Sequence, residues 1–250
     1  MKKTEKRTVA LTAVFALTFG IAPAANAMHI MEGYLPVQYC VIWGILCIPF
    51  LAAGFFSIRR TMNEHRKTVI LLAMSGAFIF VISSLKIPSV ISGSCSHMTG
   101  TGLGALLFGP AAVSVLGIIV LLFQAMLLAH GGLTTLGANT FSMAIAGPFV
   151  SYGVFWLLKK CHVNRRVGIF LAAALGDLFT YCVTSFQLAI CYPSEAGGIG
   201  ASLIKFLGVF APTQIPLAVI EGLITVAVMI GLEAYASPEL KELRFIGEEK

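Results

Sequence analysis

Charge is scarce in this sequence. Only 11% of its 250 residues are Asp, Glu, Lys or Arg, against about 25% in soluble domains. Hydrophobic residues make up 58%, and the mean hydropathy is +0.91. Such a composition excludes a soluble globular domain and points to a multi-pass membrane protein. Cysteine is sparse and unpaired in pattern: Cys40, Cys47, Cys95, Cys161, Cys182 and Cys191 show no CxxC spacing. Cys40, Cys47 and Cys182 fall within apolar runs, where they read as small core residues rather than disulfide partners. No Gly-x-x-x-x-Gly-Lys-Ser/Thr phosphate loop occurs, so the chain does not hydrolyse ATP by that route. No convincing internal repeat is present either, unlike the inverted repeats of many secondary transporters.

The net charge of +6 is not a nucleic-acid signature, because the cations are clustered. Lys2, Lys3, Lys6 and Arg7 open the chain. The rest gather at Arg59, Arg60, Arg66 and Lys67, at Lys159, Lys160, Arg165 and Arg166, and at Lys241, Arg244 and Lys250, with Lys86 and Lys205 left over. Clusters of this kind mark cytoplasmic loops.

The chain begins like an export signal. Val9–Ile21 is an apolar run too short to span a bilayer of ~30 Å comfortably, and Ala25-Asn26-Ala27 supplies a small-x-small cleavage site. The expected domains are therefore a cleaved signal peptide, 1–27, and one membrane domain, 28–250. Cleavage after Ala27 would make Met28 a free amine and His29 the second residue of the mature chain. The amine, the His29 amide nitrogen and the His29 imidazole could then close fused chelate rings on one small metal ion.

Six long apolar stretches follow, at 36–56, 69–87, 111–129, 134–158, 167–191 and 206–235, each long enough to span. With the mature N-terminus outside, six crossings would put the Lys159–Arg166 cluster on the outer face, against the charge rule. One further crossing repairs it, and Thr99–Gly109 is the candidate. That run is too short to span as a helix at ~1.5 Å per residue. The segment Ile91–Met98 is thus expected to dip into the bundle, where irregular backbone is tolerated only if buried or lining a cavity. The expected fold is an all-α polytopic bundle of about seven membrane segments, one short with a reentrant loop before it. Its N-terminus lies outside and its C-terminus in the cytoplasm, and His97 enters from the same side as His29.

Met28, His29 and His97 together would offer four nitrogens. Nearly planar all-nitrogen sites suit Ni(II), Cu(II) or low-spin Co(II) better than zinc. Binding needs neutral imidazoles and a deprotonated amine and amide, so affinity should fall with acid.

Three motifs carry a resemblance: Met28-His-Ile-Met-Glu-Gly-Tyr-Leu-Pro36, Ser92-Gly-Ser-Cys-Ser-His-Met-Thr-Gly-Thr-Gly-Leu-Gly-Ala-Leu-Leu-Phe-Gly-Pro110, and His130-Gly-Gly-Leu-Thr-Thr-Leu-Gly-Ala-Asn-Thr-Phe-Ser-Met-Ala-Ile-Ala-Gly-Pro148. Across essentially the whole mature chain the sequence resembles the CbiM/NikM family, the substrate-capture components of energy-coupling-factor transporters for cobalt and nickel, and looks closest to the cobalt branch. The resemblance implies a seven-helix fold with Met28, His29 and His97 as metal ligands. It also implies Co(II) as transported ligand, with Ni(II) as the alternative, no resident cofactor, and a link to cobalamin synthesis. The implied partners are a transmembrane coupling subunit, cytoplasmic ATPase subunits and a small accessory membrane protein in the cell membrane. The first mature span lacks the Ala-x-x-x-Ala face often used for docking in this class. Small-xxx-small faces occur instead at Ala125/Ala129 and Gly168/Ala172/Gly176, where packing within the bundle is the plainer use.

Other residues are weighed beside these. Glu32 and Asn139 are candidate partners for an imidazole N–H, and Met31 is a space-filling neighbour. Cys95 could add a thiolate, which would favour softer ions. His130 is either a gate or transit ligand or a structural hydrogen-bonding residue, whereas His65 and His162 lie in basic loops and read as solvated. Asp177 and Glu221 fall within apolar spans, where a carboxylate is costly and usually paired or functional. A stand-alone secondary transporter and an intramembrane metalloenzyme are the rival functions.

Overall fold

A computed structural model describes residues 25–26, 29–85, 87–88 and 94–246. The apolar segment Val9–Ile21, Met28 and the side chain of Cys95 lie outside the described residues. The chain is an all-α membrane bundle. Its helices are α1 (Val37–Glu64), α2 (Val69–Ser84, entered by a 3₁₀ turn over Arg66–Thr68), α3 (Thr101–Phe108) and α4 (Pro110–Leu128). They continue as α5 (Leu136–Lys160), α6 (Arg165–Cys191), α7 (Gly198–Tyr235) and the short α8 (Ser237–Glu242). Among the described residues, six helices are long and apolar enough to cross a membrane. Their outer faces carry large apolar side chains, such as Ile45, Ile48, Phe55 and Phe56 of α1, that are more than a third exposed, as a lipid-facing surface requires.

Two helices are longer than their apolar stretches. α1 continues to Glu64 on a polar tail of helix-forming residues, with an Arg60–Glu64 ion pair at 2.9 Å, an exposed i,i+4 contact worth about 0.3–0.5 kcal/mol. α7 begins at Gly198 and passes through Pro212 and Pro216, which membrane helices accommodate when neighbours satisfy the freed backbone groups.

α3 is the short segment expected between 99 and 109. All eight of its residues are buried, so a helix of only ~12 Å is surrounded by protein rather than lipid. Gly100 (φ +68°) turns the chain into it. Glu221 of α7 covers its start, accepting from the Thr99 N–H (2.6 Å), the Gly100 N–H (3.0 Å) and the Thr99 hydroxyl (2.8 Å). Gly109 and Pro110 then break the helix and begin α4.

α5 changes character along its length: Leu136–Asn139 is α-helical, Thr140–Ala146 is π-helical and Gly147–Lys160 is α-helical again. Its tightest contact is with α6, where a Cβ on Gly147 would lie 2.2 Å from Thr180 Oγ1 and one on Gly176 1.9 Å from Ser151 Oγ. The Gly168/Ala172/Gly176 face is buried inside the bundle, as its spacing suggested, whereas Ala125 is half-buried and Ala129 exposed.

Ahead of α3, short strands β1 (Ala25–Asn26), β2 (Ile87–Pro88) and β3 (Ser94–Ser96) form a small sheet in the order β1-β3-β2. β3 ties this sheet to α7 through Ser96 Oγ and Thr213 Oγ1, 2.6 Å apart. Residues 29–36 then fold onto the bundle. Ile30 and Leu35 are buried in a cluster with Tyr181, Leu188 and Phe210, and each contributes about 1.5–3 kcal/mol as a buried aliphatic side chain.

Candidate metal centre

Three chain segments far apart in sequence meet at one buried point. His29 comes from the segment before α1, His97 from the loop between β3 and α3, and His130 from the turn after α4. Each imidazole is about 1% exposed.

The segment bearing His29 is held by its neighbours rather than by a helix. Asn139 at the start of α5 grips Ile30 at both ends: its Oδ1 accepts from the Ile30 N–H (2.8 Å) and its Nδ2 donates to the Ile30 carbonyl (3.0 Å). Thr135 Oγ1 donates to the same carbonyl at 2.6 Å. Farther out, the Glu32 carboxylate accepts from the Thr134 N–H at 3.2 Å, and the Gly33 N–H donates to Thr134 Oγ1 at 3.3 Å. Gly132 makes this approach possible, since a Cβ there would lie 2.5 Å from Glu32 Cα. Gly131, at φ +77°, supplies a turn that L side chains rarely adopt.

Glu32 and Asn139 therefore sit beside the site, as expected, but they bind backbone and not an imidazole N–H. Glu32 is exposed. Hydrogen bonding from Thr134, its side chain foremost, holds the Glu32 carboxyl below its ordinary value, against a smaller upward push from burial.

His97 is positioned by its own carboxyl-terminal neighbour. Its Nδ1 lies 2.8 Å from the Met98 carbonyl oxygen. A carbonyl only accepts, so Nδ1 carries the hydrogen, and Nε2 of the neutral ring presents a lone pair. The Gln214 amide reaches the His97 carbonyl at 3.3 Å and Asp177 Oδ2 at 2.7 Å. His130 is set by the end of α4: Ala129 is left-handed (φ +47°) and the His130 N–H closes the helix on the Gln124 carbonyl at 3.1 Å.

His29 Nδ1 is the hub. It lies 2.6 Å from His97 Nε2 and 3.0 Å from His130 Nε2, and one nitrogen from each ring falls within 4.8 Å of the others. Nδ1 of an imidazole has one in-plane site, holding either a hydrogen or a lone pair. It can therefore make a normal hydrogen bond along only one of these two contacts. A cation among the three nitrogens would satisfy both, and three nearly water-free imidazoles are a fitting donor set for a borderline transition-metal ion.

His130 thus touches His29 directly, closer to the centre than its expected place at the end of a span. The signal available in the sequence was the Gly-Gly pair after it, which permits another backbone to come near. Nothing is described of the Cys95 side chain or the Met28 amine. His65 and His162 lie apart from the cluster, with His65 Nδ1 3.5 Å from Glu242.

Comparison with known proteins agrees with this architecture. The family described as "Cobalt uptake substrate-specific transmembrane region" (CbiM) matches residues 29–239. The cobalt transport protein CbiM of Lachnoclostridium phytofermentans is 70% identical over 246 residues, covering 98% of each chain. The protein of the same name from Chlorobium limicola is 60% identical over 225 residues, covering 90% of this chain and 88% of its own. A solved structure described as a transition metal transporter is similar with a TM-score of 0.72 at 26% identity, covering 88% of this chain and 100% of its own. A truncated transition metal transporter has a TM-score of 0.71, also at 26% identity, over 83% of this chain and 99% of its own. With a family match over residues 29–239 and relatives up to 70% identical over nearly the whole length, the chain belongs to the CbiM family.

Proposed function

We propose that this chain is the substrate-capture component of an energy-coupling-factor importer for Co(II), supplying cobalamin biosynthesis. The export signal is removed after Ala27, and the mature protein starts at Met28. The ion is held by the Met28 amine, the amide nitrogen and Nδ1 of His29, and Nε2 of His97.

One observation carries this reading. The ring nitrogen of His29 that faces His97 and His130 is Nδ1. Nδ1 is also the only nitrogen of that ring able to chelate together with the residue's own backbone nitrogen. The Asn139 and Thr135 clamp on Ile30 supports it further, because it fixes the backbone next to the proposed amide ligand. The membership of the chain in a family of cobalt-uptake regions supports Co(II) as cargo.

With no phosphate loop in the sequence, energy for uptake comes from partner ATPases, transmitted by a transmembrane coupling subunit, and a small accessory membrane protein completes the assembly. The mature N-terminus and the site face outward and the C-terminus faces the cytoplasm. Capture closes residues 29–36 over the ion. Release follows when the coupling subunit disturbs the three-segment junction.

The test is accumulation of labelled cobalt in cells carrying the whole transporter, together with N-terminal sequencing and metal analysis of the purified chain. His29→Ala should abolish accumulation, and retention of Ala27 ahead of Met28 should weaken or redirect metal binding. Normal accumulation by His29→Ala, or a purified metal-loaded protein that begins at Met1, would overturn the proposal.

A further inference from the structure

We propose that the end of α5, the start of α6 and the segment after α8 form a cleft that binds the phosphate of an anionic phospholipid. In the orientation proposed above, the cleft opens at the cytoplasmic leaflet. It is separate from the imidazoles: at ~1.5 Å per residue, Lys159 lies ~30 Å along α5 from Asn139.

Packing builds the cleft. Leu240 is fully buried, and Leu243, Phe245 and Ile246 pack around the same cluster as Phe155 of α5. The Phe155 and Phe245 rings stack with centroids 5.6 Å apart and planes 12° from parallel. The chain turns at Arg244 (φ +55°), whose N–H donates to the Lys241 carbonyl at 2.9 Å, while the Phe245 N–H donates to the Leu240 carbonyl at 3.0 Å. Arg244 is thereby held at a hollow of about 510 Å³ that Lys159, His162 and Arg165 also line, together with Phe155 and Phe245.

Charge selects the ligand. Arg165 has Glu233 of α7 as its ion-pair partner. Among the described residues, Lys159 and Arg244 have no such partner, and no Asp or Glu lines the hollow. Cations gathered by the fold favour an anion between them, and guanidinium and ammonium groups are ordinary partners of phosphate. The lack of carboxylates also discriminates among lipids. A zwitterionic headgroup brings its own ammonium to a rim that is already cationic, whereas a net-anionic headgroup does not. Basic pockets between membrane helices on the cytoplasmic side are suited to such headgroups.

Two adjoining hollows give the acyl chains a place. One, of about 200 Å³, shares Lys159 and Arg244 with the first and reaches Tyr152 and Trp156. The other, of about 600 Å³, lies between Trp156, Leu157 and Lys159, where Trp156 and Leu157 are 48% and 62% exposed. Lys159 Nζ sits 4.6 Å over the Trp156 ring, a cation–π contact, and Trp is enriched at headgroup depth in membrane helices. Lys159 therefore stands between a basic cleft and an apolar, lipid-facing hollow. A phospholipid spans both, whereas free phosphate fills only the first.

Lipid titration of the full mature protein, stripped of lipid in a neutral detergent, tests the assignment. Phosphatidylglycerol should raise the unfolding temperature saturably and stay on the protein in native mass spectrometry. Phosphatidylcholine of the same chains and glycerol phosphate should do neither. Lys159→Gln with Arg244→Gln should weaken phosphatidylglycerol binding about thirtyfold, the scale of two cations facing anionic lipid. Both side chains are exposed, so this double variant should keep the lipid-free unfolding temperature. Arg59→Gln with Arg60→Gln, in another basic cluster, should bind like the unaltered protein. An equal response to phosphatidylcholine overturns the proposal, and so does unchanged binding by the Lys159 and Arg244 variant or an equal loss in the Arg59 and Arg60 variant. A full response to glycerol phosphate makes this a site for soluble anions and overturns the lipid assignment. Binding that appears only in Glu248→Gln with Glu249→Gln also overturns it, because the chain's own acidic end is then the occupant. If the Lys159 and Arg244 variant loses cobalt accumulation while no lipid response exists, the cleft takes an acidic protein segment instead and the proposal falls. Labelling of the exposed Cys161 by an impermeant maleimide from outside intact cells would overturn the cytoplasmic placement, a result distinct from any of these.

Discussion

Two polar pockets are buried side by side in this bundle, and they are satisfied in opposite ways. In one, Glu221 faces two backbone N–H groups and a hydroxyl from Thr99 and Gly100. An acceptor meets donors, and the start of α3 is fully served. In the other, three imidazole nitrogens face each other at a hub that can make only one ordinary hydrogen bond. The first pocket is complete as protein, whereas the second has more donor atoms than protons can reconcile. The two are joined, since Gln214 links the His97 carbonyl to Asp177, and Asp177 lies beside Glu221. The acidic pair is thereby linked, through Gln214, to the loop that carries His97.

Substitutions should separate the pockets. The largest effect is expected for His97→Ala, which removes metal from the purified protein altogether while leaving its thermal unfolding in the metal-free form nearly unchanged. Glu221→Ala should do the reverse. It strands two buried N–H groups at about 1–3 kcal/mol each, lowering the unfolding temperature, with metal lost only as far as the His97 loop is disturbed. Equal damage to both readouts by both variants would erase the distinction drawn here.

A smaller change is expected from Asn139→Ala. This deletes the clamp on Ile30 without touching an imidazole, and groups that orient ligands are typically worth about 10–100-fold in metal affinity. Equilibrium competition with a chelator measures it. The smallest effect belongs to Glu32→Gln. The folded-state value of this carboxyl is depressed, so its stabilising contacts with Thr134 are fully present above the ordinary glutamate range, about 4.3, and fade as the pH falls through the lowered value. The variant should lose that part of the acid dependence of closure while holding metal normally near neutrality. Hydrogen exchange of the Thr134 amide across pH reads it.

Much of the fold could be read from the chain because lipid imposes simple demands. Runs of apolar residues mark the long helices, and charge parity calls for a short extra segment, which is present as the wholly buried α3. The extensions of α1 to Glu64 and of α7 back to Gly198 escape such reasoning, since a helix need not stop where its apolar stretch does. At the site, His29 and His97 stand out in sequence, one just after the small-x-small run Ala25-Asn26-Ala27 and the other in a Gly/Ser-rich loop. The closeness of His130 is not, because it depends on how the turn at Ala129–Gly132 aims one ring across a gap between segments. Asn139 and Glu32 show the same limit: their neighbourhood follows from sequence, but their choice of backbone over imidazole is decided by where Ile30 and Thr134 come to rest.

The π-helical stretch Thr140–Ala146 bears on both ends of α5 at once. A π turn holds more residues than an α turn, so it resets the angular phase between what comes before and what comes after. Asn139 can then point at Ile30 while Gly147 still meets α6. Each residue of an α-helix advances the direction by about 100°, and no straight α-helix of this sequence would keep both bearings. The anchoring of the segment at Ile30 and the close seam between α5 and α6 are thereby geared to one another through a single irregularity in the middle of one helix.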